Sequence, residues 1–322
     1  MSDNKKSPKH LKKSTWKFPK FALIPVVIGL AGIIVFTYPD MANWFSSVNQ
    51  AGIVNNYSKE VQNVHPAAAE QLKLAHEYND ALTSGAILEK DTRIPSGDGT
   101  EDSSINPLDY QKLLNANDSG LMARVIVPKA DIDLPVFHGT SEDVLLVAVG
   151  HLQGTSLPVG GNGTRTVLTG HRGLASAKIF TDLDKVTTGD EIIVEVFGET
   201  LDYRVTETKV VEPSETEEIR AVPGRDLITL VTCTPLGINS HRILVTGERV
   251  FPTPKAAVKT VEKESTLPHF PWWICNIIGG LVISAIYIWR SGYPRRSKKK
   301  ATGKHKLTSE EALDEATTQA KN

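Results

Sequence analysis

The residue best able to do covalent chemistry in this sequence is Cys233. It ends an apolar β-type run at 229–232 and is followed by a Pro-Leu-Gly turn, so its thiol would lie at the mouth of a strand. Arg242 comes nine residues later at the start of the next β-type run, and two neighbouring strands would bring it beside Cys233. A guanidinium is always charged and can hold a carbonyl group or stabilise an oxyanion, but it cannot act as a general base.

A cysteine nucleophile also needs an imidazole, which stabilises the thiolate and later protonates the leaving amine. Four histidines in or near the β-rich region are candidates: His138, His151, His171 and His241. His171 follows the β-type run at 166–169, where a strand passes into a turn, and such junctions often carry catalytic side chains. His138 and His151 stand at similar junctions, so spacing leaves the choice open. The thiol has two other interpretations, an inert buried group or an intermolecular disulfide.

Competing chemistries lack their sequence patterns. The chain contains no H-E-x-x-H or paired C-x-x-C spacing for a metal, no G-x-S-x-G motif and no glycine-rich nucleotide loop. The second cysteine, Cys275, lies inside an apolar run and is poorly placed for a disulfide with Cys233. The sequence therefore favours covalent catalysis by the cysteine with an arginine and a histidine, and we expect no cofactor.

Two uncharged apolar runs, at 21–38 and 270–289, are long enough to cross a membrane as helices. Seven lysines precede the first run, and Lys and Arg residues crowd together after the second. Because such residues stay on the cytoplasmic side, we expect both termini inside the cell and the intervening domain outside. A cleaved signal peptide is the alternative for the first run, and a buried core helix for the second. The exported part holds 20 basic and 32 acidic residues, which disfavours nucleic acid as a partner.

Between the two apolar runs the pattern changes from helix to strand. Helical spacing predicts a helix from Ser58 to about Leu88, and the Gly-, Ser-, Pro- and Asp-rich segment 91–106 is predicted as a long loop. Seven short β-rich runs separated by turn signals predict a barrel or a sandwich. These runs are residues 122–127, 134–137, 166–169, 191–197, 201–211, 227–232 and 243–250.

Several segments resemble the sortase family. The sequence T-L-V-T-C at 229–233 resembles the T-L-x-T-C signature of sortases, and L-T-G-H-R-G at 168–173 resembles their catalytic-histidine segment. Arg242 stands where the family has its essential arginine. The blocks at 137–140, 150–161 and 233–242, together with the second apolar run, are similar to class C sortases, the pilus-polymerising branch.

The resemblance implies a mainly β fold: an eight-stranded sortase-type barrel with an N-terminal helical and lid segment and two flanking transmembrane helices. It also implies that Cys233 attacks the Thr–Gly bond of an LPXTG-like sorting signal, and that a lysine amine of a neighbouring pilin subunit resolves the thioacyl enzyme. On the same grounds His171 is chosen from the four candidates as general acid and base. Arg242 would position the substrate and stabilise the oxyanion.

Taken together, these features predict seven segments along the chain. They are a basic cytoplasmic segment at 1–20, a transmembrane helix at 21–39, an extracellular helix and lid loop at 40–110, the catalytic barrel at 111–252, a linker at 253–269, a second transmembrane helix at 270–290 and a cytoplasmic tail at 291–322.

The sequence departs from class C sortases in the lid. Many of those enzymes cover the site with a lid that carries an Asp-Pro-aromatic triplet, and the loop at 91–106 has none. Lid gating by this loop is therefore a hypothesis. Two other functions compete with pilin polymerisation: a housekeeping-type sortase that anchors surface proteins to peptidoglycan, and an inactive membrane-tethered β module that only binds surface proteins.

Overall fold

A computed structural model describes residues 15–84, 108–117, 119–265 and 267–293 of the chain. Two of the described helices are long and apolar enough to cross a membrane, and the first continues well past the predicted apolar run. The helices are α1 (Leu23–Gln62), α2 (Ala68–Thr83), α3 (Glu142–Leu145), α4 (Lys255–Val261) and α5 (Trp272–Ser291).

The described residues divide into two compact units. One contains the residues before and including Ala31 together with those from Gly279 onward, and the other is Gly32–Ile278. In the first unit the Trp16 indole Nε1 donates to the carbonyl of Trp289 at 3.0 Å. The second unit contains the β-barrel and every residue of the candidate site.

Eight strands form the barrel. They are β1 (Leu121–Val127), β2 (Ile132–His138), β3 (Val149–His151), β4 (Thr164–Thr169), β5 (Glu191–Val196), β6 (Glu199–Val211), β7 (Asp226–Thr234) and β8 (His241–Arg249). The barrel closes in the order β1-β2-β3-β4-β7-β8-β6-β5. β2 pairs with β3 and β4 pairs with β7 in parallel, whereas the other neighbours are antiparallel. Closure leaves no free sheet edge in this ring of strands.

Alternation along the strands separates the inner and outer faces of the barrel wall. On β7 the side chains of Ile228 and Leu230 belong to the buried core, and on β8 those of Ile243 and Val245 join them. These four side chains are between 0% and 4% exposed. The residues between them on each strand therefore face the outside of the barrel.

Helices α1 and α2 add aromatic and small apolar side chains to the same core. Tyr57 of α1 and Tyr78 of α2 are almost fully buried within it. The Tyr57 hydroxyl donates to the carbonyl of Met122 at 2.8 Å and accepts from the backbone N–H of Phe197 at 3.0 Å. One buried hydroxyl thus joins the first helix to β1 and to the turn after β5.

Helix α4 covers part of the outer face, where it packs on β1 and β5 through a small apolar cluster. The buried Arg124 of β1 forms ion pairs with Asp133 at 2.7 Å and Glu195 at 3.3 Å. The same guanidinium donates to the carbonyls of Val261 and Lys263. Arg124 therefore attaches the segment after α4 to the barrel wall, while Asp133 and Glu195 balance its charge.

The structure confirms the predicted barrel and all seven predicted strands, with bounds that differ by a few residues. It adds β3, whose three residues are too few to give a periodic signal. The single helix predicted from Ser58 to about Leu88 is wrong, because α1 ends at Gln62 and α2 begins at Ala68. Pro66 lies between them, and a proline disfavours the helical conformation of the preceding residue. The predicted lid loop at 91–106 lies outside the described residues.

Replacing Tyr57 with Phe should destabilise the protein without changing its apolar packing. The change leaves the Met122 carbonyl and the Phe197 N–H without their buried partner, at an expected loss of about 1–3 kcal/mol in the free energy of unfolding. Chemical denaturation of the detergent-solubilised chain would measure this loss. Tyr38→Phe, at an exposed position, is the control. Equal midpoints for the two variants would contradict the role given to the Tyr57 hydroxyl.

Candidate active site

Cys233 lies on β7 directly opposite Arg242 on β8, as the nine-residue spacing predicted. The two strands are antiparallel, and the loop 235–240 joins them just beyond this pair. Cys233 is half-buried, and so is Arg242. The thiol and the guanidinium therefore occupy neighbouring positions at one end of the barrel wall.

Strand β4 brings His171 to the other side of Cys233. β4 pairs with β7 in six consecutive steps that end with Thr169 opposite Val231. The backbone N–H of Gly170 then donates to the Val231 carbonyl at 3.1 Å. The pairing ends there, and the same register extrapolated by two residues would place His171 level with Cys233.

The side chains of Cys233 and Arg242 lie on the outer face of the barrel. Their neighbours Thr232 and Ile243 are 1% and 4% exposed and face the interior, and successive strand residues alternate. The Thr232 hydroxyl donates to the carbonyl of Gly170 at 2.7 Å, which ties β7 to the end of β4 beneath the thiol. The site is therefore accessible from outside the barrel, and the backbone beneath the thiol is held by this hydrogen bond.

The imidazole of His171 lies against a carboxylate that the sequence analysis did not single out. Its Nε2 is 3.4 Å from Oε1 of Glu142, the first residue of α3. This nitrogen is shielded from solvent and has no hydrogen-bond partner among the described residues, so the contact is an ion-pair distance without hydrogen-bond geometry. The Glu142 side chain is mostly exposed, and its effect on stability is therefore small. Nothing in the sequence distinguishes this glutamate from the many others.

The Arg242 guanidinium is held by backbone carbonyls just before it in the chain and retains unused donors. Its Nη1 donates to the carbonyls of Asn239 at 3.0 Å and His241 at 3.1 Å. Within the part of the chain that the structure describes, Nε and Nη2 donate to no acceptor. A guanidinium fixed through one nitrogen can still offer its other N–H groups to a substrate oxygen.

His151 is a buried structural residue. Its Nδ1 lies 2.9 Å from the Tyr110 hydroxyl, and its Nε2 lies 2.9 Å from the carbonyl of Ser156. A neutral ring with the proton on Nε2 satisfies both contacts. Burial lowers the pKa of His151 to about 4, in agreement with that neutral form.

His138 and His241 are also poorly oriented to act on the thiol. The ring nitrogens of His138 lie 2.7 and 2.8 Å from the carbonyls of Leu113 and Gly120, and burial lowers the pKa of this imidazole. His241 is exposed, with its Nδ1 2.8 Å from the Ser240 hydroxyl. His241 begins β8 and pairs with Thr234, beside the Cys233–Arg242 pair, but alternation along β8 turns its side chain to the face opposite that of Arg242. His171, which follows the end of β4 on the other side of β7, is the remaining candidate.

This arrangement suits acyl transfer through a thioester. A thiolate at Cys233 can attack a carbonyl carbon, an imidazole at His171 can move protons, and Arg242 can hold the carbonyl oxygen. Among the described residues, no three His, Cys, Asp or Glu side chains are grouped as a metal site. The groups present are chemically able to act as a nucleophile, an acid and base, and an oxyanion donor.

Comparison with known proteins points to one family. Residues 125–250 match the family model described as the sortase domain. The chain is 44% identical to sortase C-1 from Actinomyces oris, over 57% of this chain and 99% of that structure, with a TM-score of 0.50. It is 37% identical to the structure named sortase C1 of GBS Pilus Island 1, over 62% and 97%, with a TM-score of 0.54. It is also 28% identical to sortase A of Bacillus anthracis, over 46% of this chain and 70% of that protein.

The buried state of His151 predicts acid lability. Between about pH 6.5 and pH 4 the unfolded histidine binds a proton while the folded one stays neutral, so stability falls as the pH is lowered through this range. At about 1.4 kcal/mol per unit of pKa difference, the loss attributable to His151 is about 3 kcal/mol. Denaturation curves across this range would measure it.

The control for this titration is His151→Gln. This variant should be less stable at pH 7 but should show a shallower dependence on pH between 6.5 and 4. His138 contributes in the same direction in both proteins, so its effect cancels in the comparison. Parallel pH dependences for the two proteins would show that the proton uptake belongs to other groups.

Proposed function

The chain belongs to the sortase family of cysteine transpeptidases, and we propose that it works outside the cell as a class C enzyme that polymerises pilin subunits. The observation that carries the proposal is the pairing of Cys233 with Arg242 across β7 and β8, together with the parallel pairing of β4 with β7, which ends two residues before His171. This placement supports the proposal that the three side chains form one reaction centre.

In the first step the Cys233 thiolate attacks the threonine carbonyl of an LPXTG-like sorting signal. A C–S bond forms and the Thr–Gly C–N bond breaks. The protonated His171 gives its proton to the departing glycine amine, which leaves the imidazole neutral. Arg242 stabilises the negative charge that develops on the carbonyl oxygen, through donors not used by the backbone carbonyls just before it in the chain.

In the second step a lysine amine of a neighbouring pilin subunit attacks the thioester. The neutral His171 accepts the proton that the amine loses as the new C–N bond forms. The C–S bond then breaks and restores the thiolate beside the protonated imidazole. The product is an isopeptide bond between two subunits, and the enzyme returns to its starting state without a cofactor.

Three findings support the class C assignment over a general sortase function. The structural neighbours include sortase C-1 enzymes from several species, one of them named for a pilus island. These neighbours are 37–44% identical to the chain and are covered almost completely by it. A second apolar helix, α5, follows the barrel and suits a two-anchor enzyme.

The location we propose is the cell membrane, with the barrel outside and both termini in the cytoplasm. Helices α1 and α5 are the candidate spans. Lysines before the first span and Lys and Arg residues after the second support this orientation, because such residues favour the cytoplasmic side. The sorting signals of pilin subunits would then meet the enzyme at the outer surface.

The rival function is attachment of surface proteins to peptidoglycan. The similarity to a protein named sortase A keeps this alternative open. The first step is the same in both reactions, since both need the thioacyl enzyme. The two functions differ only in the amine that resolves it.

Cys233→Ala should abolish high-mass pilin ladders in cells that produce the enzyme and its pilin. The variant lacks the sulfur on which the thioester forms, so the loss should be complete by immunoblotting. Cys275→Ala is the matched control, because it removes the other cysteine of the chain from α5. Ladders that persist at the wild-type level in Cys233→Ala would refute the proposal.

The junction in the product should contain a lysine side chain of pilin. Mass spectrometry of digested polymer should show the threonine carboxyl joined to that ε-amine. Replacement of the identified lysine with arginine should remove the junction, because a guanidinium is not a nucleophile at neutral pH. A junction to a wall-peptide amine would refute pilin polymerisation and support attachment of surface proteins to peptidoglycan.

A further inference from the structure

Arg172, the residue after His171, makes three polar contacts that the reaction scheme does not use. Its side chain is only 9% exposed. Nε donates to the carbonyl of Thr181 at 3.0 Å, Nη1 donates to the Thr234 hydroxyl at 3.2 Å, and Nη2 pairs with Asp184 at 2.5 Å. A nearly buried arginine with all three nitrogens engaged is held in one orientation.

The partners of Arg172 lie on both sides of the reaction centre. Thr234 follows Cys233 on β7, whereas Thr181 and Asp184 belong to the segment that leads away from His171. That segment folds back on itself, because the backbone N–H of Phe180 donates to the carbonyl of His171 at 3.0 Å. Arg172 therefore joins the segment that carries the imidazole to the strand that carries the thiol.

This link begins where strand pairing stops. The pairing of β4 with β7 ends at Thr169 and Val231, so His171 lies beyond the last ladder step. Gly173, which follows Arg172, has φ near 76°, and an added Cβ there would lie 2.5 Å from Leu236 of the loop after β7. The side chain of Arg172 and the missing side chain of Gly173 together let the two loops pack against each other.

We propose that Arg172 is a positioning residue for the reaction, which fixes the imidazole of His171 against the thiol of Cys233 without touching the substrate. The inference rests on the catalytic roles proposed above for those two residues. A planar guanidinium can serve three acceptors in different directions, and the shorter reach and single nitrogen of lysine cannot replace it. A displacement of about 1 Å between reacting groups can lower a rate about 100-fold.

Geometry rather than charge is the expected mode of action. Asp184 pairs with Arg172 and offsets its positive charge, which lessens the contribution of the guanidinium to the field at the thiol. Glu142, which contacts His171, and Arg242, which pairs with Cys233 across the two strands, are other charged groups at the site. Their charges remain unchanged when Arg172 is replaced.

The chain offers a matched control in Arg165. This arginine is also nearly buried and also donates to a threonine hydroxyl of β7, since its Nη1 donates to the Thr229 hydroxyl at 3.1 Å and to the carbonyl of Glu218 at 2.7 Å. Thr229 is four residues before Cys233, away from the reaction centre. Arg165→Gln removes a comparable side-chain bond to β7 and reports the structural cost alone.

The experiment compares Arg172→Lys, Arg172→Gln, Thr234→Val and Arg165→Gln in the detergent-solubilised full chain. It measures kcat and KM for an LPXTG-type peptide, the pH dependence of Cys233 alkylation and the denaturation midpoint. We expect both Arg172 variants to lose about 10- to 100-fold in kcat with little change in KM. Their alkylation curves should shift to higher pH, because the imidazolium is no longer held beside the thiolate. Thr234→Val should show a smaller loss of the same kind, and Arg165→Gln should lower the midpoint only.

Two results would overturn the inference. A wild-type kcat in Arg172→Lys would show that the charge suffices. A loss in Arg172→Gln and Thr234→Val that only follows the folded fraction, as in Arg165→Gln, would show a structural role. Cys233→Ala and His171→Ala serve as references: if either still turns over the peptide, the proposed function fails, whereas inactive references with unaffected Arg172 variants refute this inference alone.

Discussion

The parallel pairing of β4 with β7 is the constraint on which the candidate site depends. Cys233 and Arg242 meet across an antiparallel pair joined by a short loop, whereas His171 follows β4, a strand that pairs with β7 although it is distant along the chain. A slip of one residue in this pairing would turn the facing side chains to opposite faces of the wall. Two side-chain hydrogen bonds support this pairing. The Thr232 hydroxyl donates to the carbonyl of Gly170, and the Arg165 guanidinium donates to the Thr229 hydroxyl.

Core packing enforces the same register from inside the barrel. Ile228 and Leu230 of β7 and Ile243 and Val245 of β8 are buried on the inner face, and a shift by one residue would carry them out toward water. At about 25 cal/mol for each Å² of apolar surface, exposing even one such side chain costs about 1.5–3 kcal/mol. Closure of the barrel removes the free edges along which strands could otherwise slide. The geometry of the site and the stability of the fold are therefore consequences of one arrangement.

The sequence predicts the local parts of this structure better than the distant ones. Alternation and turn residues located seven of the eight strands, and the spacing from Cys233 to Arg242 predicted their pairing because the two strands are adjacent in sequence. The pairing of β4 with β7 is not local, so spacing could not choose among the four histidines, and the resemblance to sortases made that choice. Burial distinguishes His151 from His171, and burial is a property of the folded chain. The contact of Glu142 with His171 left no sequence signal at all, since it depends on where α3 lies.

Charged side chains are held differently at the site and away from it. Arg124 is buried between two carboxylates and two carbonyls, so its charge is fully engaged and fastens the wall to the segment after α4. At the site, Arg242 is held through one nitrogen by backbone carbonyls just before it in the chain, and the carboxylate near His171 is exposed. Neither group is neutralised by a buried partner, and releasing either from its present contact costs little. An acyl transfer needs charged side chains that can move toward a substrate oxygen or a leaving amine and then move back. The weak contacts of Arg242 and Glu142, on the outer face of firmly paired strands, allow this movement, whereas a buried ion pair would oppose it.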